Sequence, residues 1–170
     1  MLTMLRYRLV FGPLMLALFI AVFYLDNWLE HGARTTLPGG LAMLGMLLVL
    51  IALSAVELCV IFRTKGIAVN TPVVALSGIT VCGLIYTMPS APIFATAIVG
   101  VLAVAMIAAA WDRRPQGVIA TVGATAFAMI YLGLTPGFYV AIRHGHSAWI
   151  VAAIILITKS CDIGAYTIGR

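Results

Sequence analysis

Six apolar stretches, each long enough to cross a bilayer as a helix, leave this 170-residue chain few ways to fold. They run over residues 9–25, 37–62, 72–88, 92–110, 118–134 and 148–168, and a membrane helix needs about 17 to 25 residues. The joints carry breaker residues: Pro38-Gly39-Gly40, Asn70-Thr71-Pro72, Pro89-Ser90-Ala91-Pro92, Pro115-Gln116-Gly117 and Thr135-Pro136-Gly137. Hydrophobic residues make up 64% of the chain and charged residues only 9%, far from the balance of a soluble domain. The expectation is an all-α fold: a polytopic transmembrane helical bundle of about six spans, forming one membrane domain.

The net charge of +5 does not point to nucleic acid, because the ten lysines and arginines are scattered over short loops. They report orientation instead. Arg6, Arg8, Arg63, Lys65, Arg113, Arg114, Lys159 and Arg170 fall on one side of six spans, and only Arg34 and Arg143 on the other. Cytoplasmic loops collect lysine and arginine, so the N-terminus and the C-terminal stretch are expected in the cytoplasm. Arg6 and Arg8 ahead of an apolar run imitate a signal peptide, but no small-residue cleavage pattern follows, and a retained first span is expected. Cys59, Cys82 and Cys161 are far apart, inside apolar runs, and read as packing residues.

Against this background a few polar residues stand out. Lys159 and Asp162 lie in the last apolar run, where a charge at the bilayer centre costs about 2.5 to 3.5 kcal/mol on insertion scales. On an unbroken helix Lys159, Asp162 and Tyr166, spaced by three and four, share one face. Lys159 can neutralise Asp162 and can act as a point charge for phosphate. The same spacing also suits a helix end at the interface, with Lys159 snorkelling to headgroups and Asp162 in water. Glu57, near the end of span two, has no cation three or four positions away on its own helix. Orientation puts it at the face carrying Lys159 and Asp162, either in a shared polar cavity or simply reaching the interface.

Other patterns carry less. Gly164 to Arg170 has phosphate-loop spacing up to its last position, but arginine stands where lysine is required and the preceding segment is not a strand. His144 and His146, with Arg143 beside them and His31 in another outer loop near Asp26 and Glu30, do not complete a metal set and read as solvated loop histidines. Ser54, Ser77 and Ser160 have no histidine nearby in sequence, so nothing supports a serine hydrolase. Ala120, Ala124 and Ala128, with Gly123 alongside, form a small-residue stripe on span five for close helix packing.

The stretch Lys159-Ser160-Cys161-Asp162-Ile163-Gly164-Ala165-Tyr166-Thr167-Ile168-Gly169-Arg170 resembles the K-x-x-D-x-x-A-Y-x-x-G-[RK] segment of phosphatidate cytidylyltransferases, the CDP-diacylglycerol synthases. The basic N-terminus followed at once by a span, and Glu57 in span two, are similar to that family as well. The resemblance implies a polytopic helical enzyme of the inner (plasma) membrane, commonly a homodimer, in phospholipid biosynthesis. It would join CTP and phosphatidic acid into CDP-diacylglycerol and pyrophosphate, with Mg²⁺ as cofactor.

By the same resemblance Lys159 and Asp162 are catalytic, and Ser160, Tyr166, Arg170 and Glu57 bind substrate. Asp162 is also a candidate metal ligand. Family members continue with a serine-, proline- and lysine-rich segment, further spans and a signature bearing lysine, histidine, glycines and metal-binding aspartates. The chain is therefore expected to be the N-terminal part of a longer protein, or a truncated one, inactive alone and with its main metal ligands beyond Arg170. On the residues alone two other classes stay open. One is an ion- or proton-coupled transporter using Glu57, Lys159 and Asp162; the other is a membrane scaffold in which these charges hold helices together.

Overall fold

The computed structural model describes residues 17–30, 39–111 and 117–168, and these are helical throughout apart from short joints, with no strand among them. The helices are α1 over residues 17–30, α2 Leu41–Thr64, α3 Thr71–Thr87, α4 Ala91–Trp111, α5 Val118–Gly145 and α6 Ala148–Ile168. Three of them, α2, α4 and α5, are long and apolar enough to cross a membrane, and α3 and most of α6 are shorter apolar helices. The protein is an all-α membrane helical bundle. Arg6, Arg8, His31, Arg34, Arg113, Arg114 and Arg170 lie outside the described residues, as does the expected start of the first span.

Local chemistry explains where the helices stop. The end of α2 turns on Gly66, whose φ of +76° is open to glycine without a Cβ penalty. The Ile67 N–H donates to the Phe62 carbonyl and the Gly66 N–H to the Arg63 carbonyl, both at 3.0 Å, the paired bonds of a Schellman ending. At the start of α3 the Asn70 side chain accepts from the Val73 N–H at 3.5 Å, and Pro72 occupies the first turn, where its missing N–H costs nothing.

One expected joint is absent. Thr135-Pro136-Gly137 does not end span five at residue 134; α5 runs through Pro136 to Gly145. A proline removes one backbone hydrogen bond, but ending a helix inside apolar surroundings would strand several. Neighbouring packing supports the continuous helix.

Contacts group the chain into two compact units: Met1–Met43 with Arg143–Arg170, and Leu44–Ile142. In the second unit each helix turns small or apolar residues inward: Ile51, Ala55 and Cys59 on α2, Val74, Gly78, Val81, Cys82 and Ile85 on α3, and Ala97, Val101, Ala105 and Ala109 on α4. Their opposite faces are apolar too, with Val49, Leu53, Val56 and Val60 of α2 exposed, as suits lipid contact.

The small-residue stripe of α5 is buried toward its far end: Ala120 and Gly123 are exposed, Ala124 is half-buried and Ala128 fully buried. Further along, Gly133 and Gly137, four residues apart around Pro136, bring α5 close to α3. A Cβ on Gly133 would stand 3.0 Å from Val81 Cβ, and one on Gly137 would meet Ile85. Phe94 of α4 stacks on Phe138 of α5 with ring centroids 4.7 Å apart.

Candidate functional site

α6 is continuous from Ala148 to Ile168, so the condition for a shared polar face is met: positions 159, 162 and 166 fall on one side of an unbroken helix. Its first turns are anchored, with Ala148 and Val151 fully buried. From Leu156 through Cys161 every side chain is exposed, Lys159 and Ser160 included. This half of the helix presents chemistry outward instead of burying it.

Ser160 is already engaged. Its hydroxyl donates to the Leu156 carbonyl at 2.8 Å, and Thr158 does the same to Ile154 at 2.9 Å. Back-bonding of this kind satisfies a hydroxyl within its own helix, so only the Ser160 lone pairs remain for a substrate. Cys161 is a free, exposed thiol. Asp162 and Tyr166 are placed by the backbone of α6 and its register, while Arg170 falls outside the described residues. Glu57 is exposed on α2 and belongs to the second unit, whereas the terminal segment belongs to the first. Glu57 has no hydrogen bond or ion pair among the described residues.

The strongest polar constellation of the first unit is one the sequence reading did not assemble. Arg143, at the end of α5, is 3% exposed and Asp26 of α1 is 1% exposed; Arg143 Nε donates to Asp26 Oδ2 at 2.7 Å. Arg143 Nη2 reaches Glu30 Oε2 at 2.6 Å, and Nη1 donates to the His146 carbonyl at 3.1 Å. Asp26 Oδ1 accepts the Ala42 and Met43 N–H groups at 3.1 and 3.4 Å. It thereby caps the first turn of α2 from another helix, satisfying donors that no residue of α2 itself meets. Gly39 makes room for this, since a Cβ there would press on Glu30 Oε1 at 3.0 Å and Arg143 Nη2 at 3.2 Å.

Asp26 and Glu30 are thus consumed by Arg143, and Arg143 is not a loop cation beside the histidines but a buried partner at a helix end. Among the described residues no group of three metal-ligating side chains comes together. The one usable signal was the spacing of Asp26 and Glu30, four apart and on one helix face at the end of an apolar run, which calls for a cation.

In the second unit a cleft of about 830 Å³ opens between α3, α4 and the start of α5, with Arg63 at its rim. It is remote in sequence from the terminal segment and belongs to a different unit.

Comparison with known proteins places the chain. A family model described as the cytidylyltransferase family matches residues 6–170, nearly the whole sequence and the terminal segment with it. No curated protein and no solved structure matches.

Proposed function

Because the chain belongs to the cytidylyltransferase family, and so to the nucleotidyltransferases that use CTP, we propose that its acceptor is phosphatidic acid and its products CDP-diacylglycerol and pyrophosphate. The observation that carries this reading is the unbroken α6, which sets Lys159, Asp162 and Tyr166 on one face at the far end of an apolar helix. A lipid acceptor and a water-soluble nucleotide can meet only at a membrane surface, and such a helix end supplies one.

In the reaction an oxygen of the phosphatidate phosphate attacks the α-phosphorus of CTP. A new P–O–P linkage forms, the bond between the α-phosphorus and the bridging oxygen breaks, and pyrophosphate leaves with that oxygen. There is little covalent work for side chains in such a transfer; positioning and charge supply the acceleration. Lys159 offers a compact cation to the phosphates. Asp162 orients Lys159 through charge at a spacing of three along the helix.

Mg²⁺ is commonly held by one or two carboxylates together with substrate phosphates rather than by a full protein cage. Asp162 fits such a site as a single protein ligand, and when bound the ion would neutralise charge developing on the phosphates. Ser160 contributes acceptor capacity, and Tyr166 and Arg170 extend the same segment toward the nucleotide. Glu57 and a homodimeric state belong to the same reading by family resemblance. Eight of the ten lysines and arginines, Arg63, Lys65 and Lys159 among them, fall on one side of six spans, which supports a cytoplasmic N-terminus and terminal segment, and the family resemblance supports the inner membrane.

The test is direct. Membranes carrying the intact protein, given radiolabelled CTP, phosphatidic acid and Mg²⁺, should form lipid-soluble CDP-diacylglycerol. No product above control membranes, with the protein correctly inserted, rules the acceptor out.

A further inference from the structure

The cleft of the second unit has the features of a built site. Its walls are apolar, with Val73 of α3 and Val104, Ile107 and Ala108 of α4, and its volume of about 830 Å³ falls inside the range of roughly 300 to 1,000 Å³ common to ligand pockets. Arg63, Asn70, Thr121 and Thr125 break the apolar lining, and Arg63 and Thr125 differ most in burial. At the rim, Arg63 Nη2 donates to the Val69 carbonyl at 3.1 Å and to the Thr71 hydroxyl at 3.0 Å. Those bonds fix the guanidinium without using its Nε and Nη1 donors, which have no partner among the described residues.

Deeper in, Thr125 of α5 lines the cleft and is only 3% exposed. Its hydroxyl has no hydrogen-bond partner among the described residues, yet it is not a sealed, unsatisfied group. It faces the cavity. Open to the cleft, this hydroxyl can bond a polar atom of whatever fills it.

We infer that this cleft binds one anionic glycerophospholipid, its phosphate on Arg63, its glycerol-ester oxygens toward Thr125 and an acyl chain along Val104 and Ile107. The groups match the ligand: a cation at the rim, a buried hydroxyl in the wall, and beside them Val104 and Ile107 of α4, whose own exposed apolar surface offers a path for an acyl chain. A soluble phosphate would leave the apolar walls and Thr125 unmet. A hydrocarbon alone would leave the arginine donors unmet. The inference is independent of which acceptor receives the cytidylyl group, because the cleft lies outside the unit that carries Lys159 and Asp162.

Trp111, which lines the cleft and is largely exposed, is a built-in reporter. In the full chain with Trp28→Phe and Trp149→Phe, phosphatidylglycerol brominated on its acyl chains should quench Trp111 more than brominated phosphatidylcholine. The expected excess is about fivefold in relative association, the effect of one arginine beside an anionic headgroup. Arg63→Gln should bring the ratio to about one, and Thr125→Val should reduce the excess. Equal quenching by the two lipids in the parent protein overturns the inference, as does an unchanged preference in either folded variant. Competition on the parent protein needs no variant: unbrominated phosphatidylglycerol should relieve the excess. Relief by inorganic phosphate instead would assign the rim to a free anion and overturn the lipid. The readout requires no CTP, so it stands or falls apart from cytidylyl transfer.

Discussion

The end of α5 and the far half of α6 treat charge in opposite ways. In the last turn of α5, Arg143 is buried with two carboxylates and a carbonyl around it, and these contacts are made within the protein. On α6 Lys159 stands exposed, and its neighbouring side chains from Leu156 through Cys161 are exposed too. Both are cations in a chain with very few charges, and composition alone ranks them equally. Burial separates them. A desolvated charge enclosed by partners holds helices together, whereas an exposed one keeps part of its hydration and contributes little to holding the fold.

The contrast breaks if Arg143 is dispensable. Arg143→Leu leaves Asp26 buried with no cation, a loss of about 3 to 5 kcal/mol for an orphaned buried charge. It should appear as a large fall in the unfolding midpoint of the detergent-solubilised protein. Replacing Asp26 and Arg143 together by leucine should recover part of that loss, since no charge is then left alone. Wild-type stability in the single variant would show that the cluster holds nothing.

The next effect should fall on turnover and leave stability alone. Asp162→Asn should lower cytidylyl transfer by about a hundredfold, the scale of one lost electrostatic group at a phosphoryl-transfer site, with membrane abundance unchanged. Full activity would move Asp162 to the structural side of the comparison. Glu30 sharpens the distinction, because its side chain is 35% exposed while still bonded to Arg143. Glu30→Gln should cost about 1 kcal/mol or less in the same unfolding assay, and a cost matching Arg143→Leu would mean that exposure does not set the scale. The smallest change is expected from Ser160→Ala. Its hydroxyl is committed to the Leu156 carbonyl, so stability should move by under about 0.5 kcal/mol. A rise in KM for CTP would show that the oxygen also reaches substrate.

Much of the fold was legible because helices in a membrane advertise themselves locally: a continuous apolar run and a breaker pair fix an element without reference to its neighbours. Pro136 misled for the same reason. Its local preference is to end a helix, and the packing of Gly133 and Gly137 against Val81 and Ile85, which keeps α5 continuous, is a tertiary fact. The terminal segment was legible because its residues are close in sequence and helical spacing alone brings them to one face. The Arg143 cluster was not. Arg143 and Asp26 are 117 residues apart, and an arginine assigned to a loop had no reason to seek a buried carboxylate. Thr125 was equally hidden, since a threonine in an apolar run acquires meaning only from the cleft it lines.

The 117-residue separation of Asp26 from Arg143 also sets a schedule for biogenesis. Chains emerge from the ribosome at about 5 to 20 residues per second, so Asp26 is made on the order of ten seconds before its cation exists. The whole segment from Leu44 to Ile142, itself a compact unit, must be synthesised in that interval. The first unit, built from segments on either side of the second, therefore closes only after the second has been made. During insertion the carboxylate of Asp26 has to be sheltered by water, headgroups or the insertion machinery until Arg143 arrives, which makes late assembly of α1 with the end of α5 a natural checkpoint for quality control.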